Sequence, residues 1–273
     1  MAAAANAFAV VLQAAEARQA PESDRARLSL LVRLIRRPRW LAGVGLLVVA
    51  WPLQILALGL APITVVQPML ASTQLVLLAI ARYRLREPIG PLEVLGALAI
   101  AAGVAAVVVA APRHSVNDPA AAQVAIPLVT VGAAAILAYA VGRVRARTDI
   151  ALVLGAGLAY AWVDFVNKLL ADDIATAHWG LAAIWLISTL AFGALAFLEE
   201  NSALQRRPAV TVAPVIGALQ DPLPVLMALW AGVEAWSGAS ARIAPLACGL
   251  AGVTFGAMIL GRSAAVARLS GDG

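Results

Sequence analysis

Long apolar runs alternate with short polar stretches along almost the whole chain, and the runs have the length of bilayer spans. A helix needs about twenty mostly apolar residues to cross a hydrocarbon layer. Candidate stretches lie at about 2–16, 40–60, 63–82, 92–111, 125–142, 150–170, 180–198, 209–231 and 244–262. The first is short, and it lacks the basic start and the cleavage site of a signal peptide. The pattern predicts an all-α, polytopic membrane helix bundle of about nine transmembrane helices.

Composition agrees with that reading: 62% of residues are hydrophobic, 13% are charged, and the mean hydropathy is +0.89. The net charge of +5 does not point to nucleic acid, because the arginines sit in short loops between spans rather than on one soluble face. They bear on orientation instead. Arginines gather on the cytoplasmic side of membrane proteins. Arg18 to Arg39 follow the first span, Arg82, Arg84 and Arg86 the third, Arg143, Arg145 and Arg147 the fifth, Arg206 and Arg207 the seventh, and Arg262 and Arg268 the ninth. Alternating spans bring all of these to one side and leave Arg113 and Arg242 on the other with Asp118, Asp172, Asp173 and Glu234. The expectation is a multi-pass plasma-membrane protein with its N-terminus outside and its C-terminus cytoplasmic.

Two parts of the chain repeat. Without gaps, Leu58 aligns with Leu204, Pro62 with Pro208, Pro68 with Pro214 and Gln74 with Gln220. After a short insertion, Gly96 aligns with Gly249 and Gly103 with Gly256. Spans three and four thus recur as eight and nine. An odd span between the copies inverts one against the other, as in many carriers. The expected organisation is a first repeat at 1–111, a linker with the fifth helix at 112–149, and a second, inverted repeat at 150–273.

The stretch "LREPIGPLEVLGALAIAAGVAAVVV", with Glu87, Gly96 and Gly103, and its weaker second copy, Glu234, Gly249 and Gly256, resemble the drug/metabolite transporter superfamily in its EamA-like branch. "LQILALGLAPITVVQPMLASTQLVLL" and "SALQRRPAVTVAPVIGALQDPLPVLM" are similar to the subgroup that holds the NIPA-type magnesium transporters. The resemblance implies a secondary transporter. That family's pattern is ten helices in two inverted fives, against nine candidates here.

Polar residues inside spans carry the chemistry. In "APVIGALQDPLPVLMALW", Asp221 lies roughly 18 Å from the start of its span, near the midplane. An aspartate there costs about 3 kcal/mol on insertion scales and should face the bundle interior. Pro222 and Pro224 remove backbone donors, and Pro68 and Pro214 mark the matching helix breaks. Loosened backbone at that depth is tolerated where protein or a cavity satisfies it. The expectation is a substrate cavity lined by Asp221 and Gln220, with Gln74 and Gln67 facing them; the alternative is plain interhelical hydrogen bonding around a kink.

"YAWVDFVNKLLADD" supplies a second group. Asp164 and Lys168, the chain's only lysine, are four apart in the favourable order for an ion pair, and Tyr160 lies one turn earlier. This pair is either a switchable element of transport or a lysine whose stem snorkels to the boundary near Asp172 and Asp173. Glu199, Glu200 and Asn201 end the seventh span, as a solvated cap or an acidic mouth. Trp40, Trp179, Trp230 and Trp236 fall at span ends, where indoles anchor at headgroups; Trp51 and Trp162 lie deeper.

An enzyme finds little support: His114 and His178 are far apart and loop-borne, and there is no glycine-rich phosphate loop and no pair of aspartate-rich motifs. No cofactor or metal site is expected. Three readings remain open: a carrier of small organic solutes, with Asp221 or Asp164 as the titrating group; a divalent-cation carrier, drawing on Asp221, Gln220, Gln74 and Asp164 as oxygen ligands; and a non-transporting membrane scaffold.

Overall fold

Proline starts and apolar runs translate directly into helices. The computed structural model describes residues 16, 27–71, 90–110, 119–144, 149–206, 209–233 and 239–261. Their helices are α1 (Leu28–Leu34), α2 (Pro38–Leu60), α3 (Ile63–Ala71), α4 (Pro91–Ala110), α5 (Ala121–Val144), α6 (Asp149–Ala175), α7 (Trp179–Leu204), α8 (Ala209–Gln220), α9 (Pro222–Ala231) and α10 (Ala239–Gly261). Pro38, Pro91 and Pro222 each open a helix, where the missing N–H costs nothing. At its other end α9 closes on left-handed Gly232, φ 68°, with the Val233 N–H bonded to the Ala228 carbonyl at 3.2 Å. That is the six-to-one closure of a Schellman motif.

Five of these helices, α2, α4, α5, α6 and α7, are long and apolar enough to cross a membrane, and two shorter apolar stretches lie at Val215–Ala231 and Ile243–Ile259. The first candidate span apart from Glu16, the latter part of the third, and the residues Gln74, Glu87, His114, Glu234 and Trp236 lie outside the described residues. Among the described residues every regular element is helical.

Helix α6 is the axis of the bundle. About 72% of its apolar window is buried, against 17–22% for α2, α4, α5 and α7, and it packs on α2, α5, α7, α8 and α9. The reason lies in its sequence. It is the least apolar of the five, carrying Asp164, Asn167, Lys168 and Asp172 within the span, and such residues face the interior of a membrane bundle. The outer helices turn their aliphatic side chains outward: Val109, Val129, Leu137 and Ile187 are all exposed. This exposure pattern, with polar groups inside and aliphatic ones outside, is that of a helical bundle embedded in a bilayer.

Around α6 the core is aliphatic and aromatic, with Leu58, Ile63, Trp162, Phe165, Val166 and Met227 in one cluster. Trp162 stacks on Phe192 at 3.9 Å and donates its Nε1–H to the Leu128 carbonyl at 2.9 Å, so this indole is a packing element with a satisfied donor. On the far side α4 and α10 form the most extensive helix–helix contact, and glycines of the two helices face each other there: Gly96 against Gly256 and Gly103 against Gly249.

Candidate functional site

Helical periodicity sets four polar side chains of α6, Tyr160, Asp164, Asn167 and Lys168, along one stripe. Asp164 is the hub. Buried to 4% exposure, it accepts a hydrogen bond at Oδ1 from Gln54 Nε2 of α2, 2.8 Å, and at Oδ2 from Gln220 Nε2 of α8, 3.0 Å. Gln67 of α3 is equally buried; its Nε2 interacts favourably with the same carboxylate but lies outside good hydrogen-bond geometry and has no other partner. Three helices thus aim amides at one acid of a fourth.

Asp221 stands at the joint between α8 and α9, near enough to Asp164 for the two carboxylates to repel when both are charged. The residue keeps right-handed helical angles, φ −77° and ψ −51°, so the chain bends without reversing. The ladder is nevertheless interrupted. Pro222 and Pro224 lack the N–H groups that would satisfy the carbonyls of Ala218 and Gln220, one turn back in each case. The Gln220 amide lies at this joint, beside the acid pair. Pro68 is buried within α3 and Pro214 falls within α8.

Polar groups continue along α6 in both directions from Asp164. Toward its C-terminus, Asn167 Oδ1 accepts from Trp51 Nε1 and from Thr189 Oγ1, each at 3.3 Å. Lys168 follows, fully buried, donating to Asp172 Oδ1 at 2.7 Å and to the Leu58 carbonyl at 3.3 Å. Toward the N-terminus, Tyr160 donates to Glu200 Oε2 at 2.6 Å, and Glu199 lies against Gly155. Between Gly155 and Asp172 this column rises roughly 25 Å, most of the thickness of a hydrocarbon core.

Several sequence expectations change here. Asp164 and Lys168 do not pair. The carboxylate is taken by amides from α2 and α8, while the ammonium finds Asp172 and a carbonyl at the C-terminal end of α2, which has no intrahelical donor and carries partial negative charge. Lys168 is not snorkelling either, since none of it is exposed. Tyr160 turns its hydroxyl to Glu200 rather than to the Asp164 amides. Glu199, Glu200 and Asn201 are buried, not solvated, because α5, α6 and the Trp40 indole close over the end of α7. Trp40 is buried for the same reason, its Nε1–H bonded to Asn201 Oδ1 at 3.2 Å. Gln74 lies outside the described residues. Sequence reasoning passed over Asn167, though its spacing of three from Asp164 was a signal.

The chain matches no protein-family model, no curated protein and no solved structure. Among the described residues no group of three or more His, Cys, Asp or Glu side chains is placed to hold a metal ion.

The buried Lys168–Asp172 pair makes a direct prediction. Lys168→Met takes away the ammonium that Asp172 pairs with at 2.7 Å, and breaking such a buried pair costs about 3–5 kcal/mol. Lys168→Met combined with Asp172→Leu removes both charges and is expected to recover most of that loss. Thermal unfolding of the purified protein in detergent checks both; equal stability of the native protein and the single variant would show that the pair does not matter.

Proposed function

We propose that this protein is a secondary transporter of the drug/metabolite type, moving a small organic solute past Asp164 along the polar column of α6, between two inverted repeats. Carriers of this kind place their sites near the midplane at a repeat interface, beside discontinuous helices. The observation that carries the reading is the convergence of Gln54, Gln220 and Gln67 on buried Asp164 next to the α8/α9 joint. A scaffold needs only neutral interhelical hydrogen bonds, which amides make without the insertion cost of an acid.

The repeat reading has support of its own. In the sequence Gly96 corresponds to Gly249 and Gly103 to Gly256; in space Gly96 meets Gly256, Gly103 meets Gly249, and Gly252 approaches Ala99 between them. A two-fold axis perpendicular to an antiparallel helix pair produces such crossed contacts. For spanning helices that axis lies in the membrane plane, the relation an inverted repeat requires. The drug/metabolite resemblance, the nine-span count, the plasma-membrane location and the N-outside, C-inside orientation belong to the same proposal, supported by loop arginines and apolar runs.

The test is flux in proteoliposomes with an imposed pH gradient, using a mixed panel of small organic solutes and, separately, magnesium. Uptake or release of an organic solute that responds to the gradient is the expected result. Gln54→Leu and Gln220→Leu each remove one hydrogen bond to a charged group, about 1.5–3 kcal/mol, and are expected to lower that flux about tenfold to a hundredfold. Magnesium flux alone would move the reading to a NIPA-type cation carrier. Correctly inserted protein that moves neither would leave the scaffold reading standing.

A further inference from the structure

A second acidic site lies away from Asp164, where α6 begins and α7 ends. Glu199 is fully buried, and neither of its carboxylate oxygens has a hydrogen-bond partner. Its neighbour Glu200 is nearly as buried but accepts the Tyr160 hydroxyl at 2.6 Å. Two adjacent acids thus have opposite surroundings: one has a donor that stabilises its charged form, and the other has none.

The slot that holds Glu199 is made by a missing side chain. A Cβ built on Gly155 of α6 would collide with Glu199 Oε1 and would also come within 3.1 Å of the Ala138 Cβ on α5. The carboxyl group fills the notch that glycine leaves, wedged between α5 and α6. Nothing larger than a proton fits there without displacing the side chain. An unpaired buried carboxylate is strongly disfavoured, and a proton on one of its oxygens removes the charge.

From these observations we infer that Glu199 is a proton-binding site, set apart from Glu200 by the Tyr160 donor that only Glu200 has. The proton arrives from water at the arginine-bearing end of the bundle, bonds to a Glu199 carboxylate oxygen, and leaves by the same bond; no other bond changes. Other titratable groups on the packed elements are Tyr160 and Asp164 on α6, which also carries Asp149, Lys168, Asp172 and Asp173 at greater distance along the chain, Tyr139 and Arg143 on α5, and, around α1, Arg27, Arg33, Arg36 and Arg37, the last paired with Glu16 at 2.7 Å. Tyr160, bonded to Glu200, lies one turn from Asp164 on α6, so the acid pair and the hub are neighbours along one helix. This inference rests on the carrier reading only for its consequence, that the proton occupying Glu199 couples the pH gradient to solute movement.

Infrared difference spectra of the reconstituted protein, recorded as a pH titration, read the proton without any need for transport. The native protein is expected to show the carbonyl stretch of a protonated carboxylic acid that disappears in Glu199→Gln but persists in Glu200→Gln and in Asp164→Asn. Gly155→Ala, which pushes a methyl into the slot, is expected to keep the band and move its midpoint. A band unchanged by Glu199→Gln, or no such band at any pH, overturns the proposal whether or not the protein transports. In the flux assay, Glu199→Gln is expected to reduce the response to the pH gradient at least tenfold; a full response overturns the coupling role.

Discussion

Replacing Asp164 by asparagine is expected to cut solute flux by more than a hundredfold while leaving a folded, inserted protein. What the neighbouring amides can do decides the outcome. Gln54 and Gln220 both donate to the carboxylate, at 2.8 and 3.0 Å. An asparagine offers one oxygen to accept and one nitrogen to donate, and a glutamine amide can turn over to present its own oxygen to that nitrogen. Hydrogen bonding therefore survives in neutral form, and the cost of burying a charge, about 3 kcal/mol at a helix centre, is removed. Stability should hold or rise slightly. What is lost is the charge on which three amides converge, and with it a group able to take a proton or an organic cation. Flux in proteoliposomes and thermal unfolding in detergent, measured on the same preparations, separate the two effects. Native flux in Asp164→Asn would refute Asp164 as the working group; Asp164→Leu, which leaves both amides without an acceptor at about 1–3 kcal/mol each, should lose stability as well.

Much of the scaffold was legible in the sequence because its signals are local. Apolar run length pointed to the five helices long and apolar enough to cross a membrane, and the proline pair after Asp221 marked the joint between α8 and α9. The site was legible as a set of residues and not as a set of partnerships. Asp164 and Lys168 satisfy the spacing rule for an ion pair within one helix, but that rule takes no account of other helices, and Gln54 and Gln220 reach the carboxylate from outside. Emphasis shifted in the same way. Asp221 has the more conspicuous local context, yet Asp164 is the hub, because the central position of α6 depends on which helices surround it. The burial of Glu199 is the clearest case. Charged residues at the end of an apolar run look solvated, and only the notch at Gly155, forty-four positions earlier in the chain, shows that they are not.

Gly256→Leu, in the glycine seam between α4 and α10, carries the largest expected effect on folding. A Cβ on Gly256 would lie 2.5 Å from the Gly96 carbonyl oxygen and 2.9 Å from the Ile100 nitrogen, both backbone atoms. Backbone within a helix cannot give way as a side-chain tip can, so any side chain at Gly256 forces the two helices apart. Association in a bilayer depends on close van der Waals packing, because lipid tails are as apolar as the faces that separate. Gly256→Ala is expected to cost about 1–3 kcal/mol, the range for overpacking, and Gly256→Leu to leave no monodisperse protein after extraction. Gly45→Leu and Gly193→Leu are the controls: a Cβ at either meets nothing within 4 Å, so both should extract and unfold like the native chain. The proposed repeat adds a sharper condition. Gly103 is the counterpart of Gly256, and its Cβ would lie 2.6 Å from the Gly249 carbonyl oxygen and 2.7 Å from the Val253 nitrogen. If a two-fold axis governs this seam, Gly103→Ala and Gly256→Ala should destabilise by similar amounts in thermal unfolding. A large inequality between them would mean that the crossed glycines are a coincidence of two small-residue helices rather than the imprint of an inverted repeat.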